Sequence, residues 1–361
     1  MRKTAVVFLA LFFLYKAAPA QKSTTALVAA GAYSIQPSGE DEVLKKLPFS
    51  GIRVIDARFD TSKVGYISIR KNGSYKKLVA EAGLQQGMQA YLQKKYSAAF
   101  SSSSAYSLVL VVKHLWLQGT SDAEQEHYKI EQSSVATSTF SICTASCEAY
   151  VFTGETYVPL FRRDSSYKEK GALKKCAGLL LLQPFEDCLT KAAGKDFSKI
   201  ASVKRKLSWE EITAYNAERL HYPLFSTRAF EKGIYKTYND FLQNNPSKQE
   251  FVIESGAYSD EVFVSENGKQ VSLSDYWGVY DGKTFYVHIG YRLFEMVRQN
   301  NSFDILGSTL YIQKYIRNTV PVSPTPAGVL LAIATAAATN KNRAATYAKP
   351  LQLNMETGKP Y

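Results

Sequence analysis

The sequence predicts an α+β fold, with a mixed α/β first domain over residues 27–205 and a smaller, antiparallel, sheet-rich second domain over residues 222–316. Three observations carry this reading. Tyr106 to Leu117 is an apolar run dense in Leu and Val, the pattern of a central strand covered on both faces. Ser208-Trp209-Glu210-Glu211 spells a capping box: the serine can accept from the third amide while Glu211 reaches back, so a helix should run to about Leu220 beside a domain junction near 195–225. Beyond it, Asn267-Gly268 and Asp281-Gly282 supply residues that tolerate positive φ, the chemistry of hairpin turns.

At the amino terminus, Arg2 and Lys3 precede an apolar run from Ala5 to Leu14, and Ala18-Pro19-Ala20 offers the small residues a signal peptidase reads. Residues 1–20 are therefore expected to be a cleavable signal peptide, with the mature chain starting near Gln21. The apolar run is too short for a spanning helix, which needs roughly twenty residues. No cysteine near the cleavage site offers a lipid attachment point. This predicts an exported protein that is periplasmic, peripheral to the outer membrane or extracellular, with no transmembrane span in the mature chain.

Ile52 to Ile69, rich in β-branched and aromatic residues around Gly65, reads as two strands or one bent strand. Tyr75, Leu78, Val79 and Ala82, then Met88, Tyr91, Leu92 and Tyr96, recur at helical intervals, interrupted by Gly83 and Gly87. Short strands are expected at Tyr128–Ile130, Ser138–Ile142 and Ala149–Phe152, and a helix from about Lys168 to Leu182. In the second domain, strands are expected at Phe251–Ile253, Glu261–Val264, Phe285–Tyr291 and Ser308–Ile312 in one small sheet, with a short helix at Tyr238–Gln243 ended by Pro246. Residues 317–361 read as a low-complexity tail, whose alanine-rich stretch 327–339 is too short to span a bilayer and is expected to be a buried or partner-facing helix, with interfacial membrane contact as the alternative.

The formal charge is +12, of which Arg2, Lys3 and Lys16 carry +3. From Arg162 to Lys206, twelve Lys or Arg stand against five Asp or Glu. Such a segment favours an anionic lipid or glycan partner, or other envelope proteins, with nucleic acid set aside. Its plain alternative is a solvated helical face. Cys143, Cys147, Cys176 and Cys188 are an even number in a chain bound for an oxidising compartment and so are disulfide candidates, with all three pairings open. In one straight helix Cys176 and Cys188 would stand about 18 Å apart. Pro184 is expected to interrupt that helix and keep the pair possible. A zinc site at Cys143 and Cys147 lacks a neighbouring histidine.

Phosphate-loop, nucleophile-elbow, zinc-helix and C-x-x-C patterns do not occur, so no cofactor, metal or catalytic residue is assigned. Asn72-Gly73-Ser74 and Asn300-Asn301-Ser302 match the glycosylation acceptor pattern. Strand alternation places His114 with Leu108, Leu110, Val112 and Trp116, as a neutral, hydrogen-bonded core imidazole. His288 alternates away from Phe285, Val287 and Ile289 toward solvent, and Asp56 and Arg58 share one strand face, either as a charge pair in a cleft or, on the plainer reading, exposed to solvent. The cluster Tyr276, Trp277, Tyr280, Phe285, Tyr286 and Tyr291 would serve as core, or stack on a sugar.

Lys232-Gly233-Ile234-Tyr235-Lys236-Thr237-Tyr238-Asn239-Asp240-Phe241, on to Asn245-Pro246, together with Trp277-Gly278-Val279-Tyr280-Asp281-Gly282, resembles uncharacterised exported proteins of Gram-negative bacteria. The resemblance implies a bacterial envelope location and no particular activity. These readings predict a non-enzymatic envelope protein that binds an anionic or glycan partner. The alternative is a hydrolase of an envelope polymer working with carboxylates or His114 in a cleft. A third reading is a structural component docked through 327–339.

Overall fold

The structure is a computed structural model that describes residues 28–39, 46–69, 74–119, 140–255, 259–308 and 348–360. Segment 1–20, the strand expected at Tyr128–Ile130, all but Ser308 of the strand expected at Ser308–Ile312, Asn72 and the stretch 327–339 lie outside the described residues. The fold is α+β, as predicted.

The first sheet has seven strands: β1 (Val28–Ile35), β2 (Ile52–Asp56), β3 (Gly65–Ser68), β4 (Tyr75–Ala80), β5 (Ser107–Gly119), β6 (Phe140–Phe152) and β7 (Tyr157–Lys170). Their order is β1-β4-β3-β5-β6-β7, with β2 also paired to β5. The apolar run is the central strand. Its Leu108, Leu110 and Val112 enter the core under α1 (Leu84–Lys95) and α2 (Leu173–Ala193), while Val109 and Val111 meet Ile212 of α3 (Trp209–Glu218) on the other face. β2 runs parallel to the first part of β5, and β3 reaches its far end with Gly65 opposite Leu117. A Cβ at Gly65 would lie 2.2 Å from the Leu117 carbonyl oxygen, so this approach requires glycine.

Four expectations are corrected here. Tyr75–Ala80, expected to open a helix, is β4; Tyr75 and Leu78, three apart, point to opposite faces of the sheet, and both are buried because both faces are covered. A strand buried on both faces can therefore show the three-residue spacing of a helical stripe, whereas one buried on a single face shows a spacing of two. The two short strands expected around 138–152 are the single strand β6. Lys168 to Lys170 finish β7, and the following helix starts at Leu173. That helix does not stop at Pro184 but runs on to Ala193, burying Leu180, Leu181, Phe185, Cys188 and Leu189; the packing outweighs the roughly 3 kcal/mol a proline costs inside a helix.

The capping box is present as predicted: Ser208 Oγ accepts from Glu211 N at 3.1 Å and Glu211 Oε2 from Ser208 N at 2.6 Å. Beyond α3 come α4 (Pro223–Ser226), β8 (Gly233–Tyr235) and α5 (Tyr238–Leu242), the last with a second box between Thr237 and Asp240. Instead of one small sheet, two form. One holds β9 (Val252–Ser255), β10 (Asp260–Glu266) and β11 (Lys269–Leu273). The other joins β12 (Gly278–Tyr280), β13 (Phe285–Ile289), β14 (Arg292–Gln299), β15 (Ser302–Ser308) and β16 (Ala348–Gln352) to β8, in the order β16-β15-β14-β13-β12-β8. Asn267 and Gly268 turn β10 into β11 at φ of 53° and 76°, as a two-residue hairpin requires. The strand β16 lies within what reads in sequence as a tail; its Pro350 is tolerated because, among the described residues, β15 is its only strand neighbour.

Candidate functional site

The most polar part of the interior lies where the first sheet meets the six-stranded sheet and the carboxy-terminal turn. A bulge aims it. In the β5–β6 ladder Val112 pairs with Cys147 but His114 pairs with Ser146, so Lys113 is the extra residue and the side-chain parity reverses beyond it. Leu115 and Leu117 therefore join Leu108 and Leu110 in the main core, whereas Trp116 packs with Tyr66 and Tyr75 on the other side. The alternation that grouped His114 with Leu108 and Leu110 is overturned. His114 Nε2 lies 3.0 Å from Thr144 Oγ1. Burial, with the Arg58 charge, pulls its pKa down to about 3, so the imidazole is neutral.

Asp56 and Arg58 do form a pair, but a buried one rather than an exposed strand face: Arg58 Nε donates to Asp56 Oδ1 and Nη2 to Oδ2, each at 2.8 Å, and Arg58 is 6% exposed. Arg58 Nη1 also donates to the Lys63 carbonyl at 2.6 Å, which fixes the β2–β3 loop. Lys63 is fully buried between two carboxylates, bonded to Asp60 and 3.3 Å from Asp304 of β15. Tyr66 donates to Asp304 Oδ2 at 2.5 Å, and Asn300 Nδ2 to Asp60 Oδ1 at 3.2 Å. Burial raises the Asp304 pKa in spite of Lys63 and Tyr66. For Asp60, burial is outweighed by Lys63 and Ser62, which hold the carboxyl below its usual range. This cluster ties the first sheet to the six-stranded sheet with almost fully buried charge.

A second group surrounds Lys113, which is 2% exposed. Its ammonium donates to Asn216 Oδ1 of α3 at 2.7 Å, lies 3.5 Å from Glu148 and stacks over the Tyr215 ring. Burial and the nearby Arg219 charge pull its pKa down to about 8, against the pull of Glu148 and Glu356. Glu356, on the turn after β16, bridges Arg219 at 2.6 Å and Arg162 of β7 at 2.9 Å. The turn is held from the other side by Tyr238, whose hydroxyl donates to the Met355 carbonyl at 2.8 Å.

Between Arg58, His114, Arg219 and Glu356 a cavity remains, with about 20 Å³ for solvent. That is room for one water, enough to meet the buried Ser302 hydroxyl on its wall. A sugar or peptide substrate does not fit, and the acids that line the cavity are paired with Arg or Lys. Sequence reasoning selected Asp56, Arg58 and His114 here and missed Lys63, Tyr66, Asp304, Lys113 and Glu356. Only Lys113 carried a signal, because it interrupts an apolar strand.

The other expected sites divide. The aromatic cluster is core: Trp277, Tyr280 and Phe285 pack with Phe241 and Phe303, and Tyr276 and Tyr286 pack between the two small sheets, leaving only Tyr291 of the six exposed. His288 does not face solvent freely; the three-stranded sheet covers that side, and the imidazole stacks on Tyr276 at 4.3 Å.

The basic segment is not one helical face. It comprises the outer strand β7, both ends of α2 and the stretch before α3. Its acids are largely engaged: Asp187 accepts from Arg163 at 2.7 Å and Tyr167 at 2.8 Å, Glu169 from Gln183 at 2.6 Å, and Glu186 pairs with Lys95 at 3.0 Å. The cations are exposed, with Lys168, Lys170, Lys174 and Lys175 near one end of α2 and Lys195, Lys199, Lys204, Arg205 and Lys206 near the other.

The four disulfide candidates, Cys143, Cys147, Cys176 and Cys188, are free thiols in the structure, and all but Cys176 are buried. Among the described residues no three His, Cys, Asp or Glu side chains are grouped to hold a metal, and no helix is long and apolar enough to cross a membrane.

No family model and no curated protein matches the chain. Among solved structures, a Xanthomonas campestris protein of the DUF330 family aligns with 52% of this chain and 99% of its own, at 12% identity and a TM-score of 0.23. A likeness at that level assigns neither fold nor function.

Proposed function

We propose that this is an exported envelope component that binds an extended anionic surface through the basic edge of its first sheet and catalyses no reaction. One observation carries the proposal: between residues 162 and 206 ten Lys or Arg side chains are exposed against two acids, Asp164 and Asp196. The two cationic groups lie at opposite ends of the 21-residue α2, about 30 Å apart at 1.5 Å per residue. A small anion cannot touch both. A plane of lipid head groups or a long anionic glycan can, and several weak contacts of this kind add up while staying salt-sensitive. The cavity at the sheet junction, with room for one water, is too small to seat such a surface and is not the proposed binding site.

The test is binding of the purified protein to phosphatidylglycerol vesicles, to phosphatidylcholine vesicles and to a soluble carboxylated polysaccharide, at low and high salt. Binding to the anionic vesicles or the polysaccharide that high salt abolishes is expected, and a Lys168→Glu/Lys170→Glu/Lys204→Glu/Lys206→Glu variant should bind at least tenfold more weakly. Equal binding by that variant, or no binding at low salt, overturns the proposal. Export has its own check: an intact Met1 on protein recovered from the cytosol would remove the envelope setting.

A further inference from the structure

We propose that Cys147 and Cys188 form a disulfide that staples β6 to α2, with Cys143 and Cys176 left as thiols. The elements themselves eliminate most pairings. Cys176 and Cys188 lie on one unbroken helix, about 18 Å apart. Cys143 and Cys147 lie four residues apart on one strand, about 13 Å apart. Both distances exceed the roughly 7 Å limit for the Cα atoms of a bridge. Cys176 sits over the end of β7, with Sγ 3.6 Å from the Lys170 carbonyl, whereas Cys143 pairs with Tyr167 further along the ladder.

Cys147 and Cys188 are brought together. Cys147 stands opposite Arg163 in the β6–β7 ladder, and Arg163 Nε binds Asp187, the residue before Cys188, at 2.7 Å. Tyr167 holds the same carboxylate at 2.8 Å, so two side chains of β7 fix this turn of the helix over Cys147. Both cysteines are 1% exposed in the same apolar core, and the Cys188 thiol lies close enough to perturb that of Cys147. The neighbouring Cys188 thiol and burial hold the Cys147 thiol well above its usual pKa, so the reactive thiolate forms before this packing closes. Oxidation therefore belongs to folding. Each thiol loses its proton, one S–S bond forms, and the two electrons pass to a disulfide-bearing oxidant that is reduced to two thiols.

The inference shares the proposed oxidising location with the binding reading but does not depend on the anionic surface. The protein is refolded from denaturant in a glutathione redox pair, free thiols are blocked in denaturant, and the digest is mapped by mass spectrometry without reduction. A peptide joining Cys147 to Cys188, lighter by two hydrogens, is expected, with Cys143 and Cys176 blocked. The Cys143→Ser/Cys176→Ser variant should keep the link and Cys188→Ser should lose it. Wild-type protein with Cys147 and Cys188 both blocked, or linked elsewhere, overturns the proposal. A linked protein that ignores anionic vesicles sinks only the binding proposal.

Discussion

Replacing Lys63 by methionine should be the most damaging single change at the junction of the sheets. The lysine is fully buried, pairs with Asp60 and stands 3.3 Å from Asp304, so its loss leaves two buried carboxylates with Tyr66, Ser62 and Asn300 as their polar partners among the described residues. Removing one partner of a buried ion pair costs about 3–5 kcal/mol. A domain is stable by about 5–15 kcal/mol in all, so the expected fall in Tm is on the order of 10 °C. The loss has a pH signature. Burial already raises the Asp304 pKa in the folded protein, which favours the folded state at low pH and loses that advantage as pH rises through the folded value. Without Lys63 the value rises further, so the deficit is largest near neutral pH and shrinks toward pH 4. Thermal unfolding followed by circular dichroism between pH 4 and 8 measures it, with Asp304→Leu added to Lys63→Met to recover part of the loss. A Lys63→Met protein within about 1 kcal/mol of the parent at pH 7 would refute the argument that these charges are uncompensated without the lysine.

Three other outcomes are expected. Glu356→Gln removes the bridges to Arg162 and Arg219, which are partly solvent-exposed, so stability should fall by only about 0.5–1 kcal/mol; because Glu356 supports the charge on Lys113, the lysine should titrate below about 8, as read by NMR. His114 has a depressed folded pKa of about 3, so its stabilising share is present above the unfolded value of about 6.5 and is lost as pH falls from there toward 3; His114→Gln should flatten that part of the stability curve, and an unchanged slope would show the imidazole is not buried neutral. Gly65→Ala drives a methyl to 2.2 Å from the Leu117 carbonyl and should cost about 1–3 kcal/mol in denaturant titration, whereas Gly154→Ala meets open space and should lose only the smaller strain of its positive φ.

The sequence by itself determined what neighbouring residues decide among themselves. The capping box at Ser208 and Glu211 closes over three residues, the Asn267-Gly268 turn over two, and the β5 run is apolar enough to be a covered strand in any context. The tertiary structure decided whatever depends on a distant partner. Tyr75 to Ala80 reads as helix until β1 and β3 offer it a ladder on each side, and Pro184 reads as a stop until the sheet beneath α2 holds the helix through it. One unpaired residue, Lys113, reverses the facing of His114 and Trp116, and a single-residue register shift has no trace in local composition. The junction cluster is least legible of all, because Tyr66 and Asp304 meet across 238 residues of chain. Charged residues ordinarily prefer water, and only the closed fold, by excluding it, turns them into a buried lock.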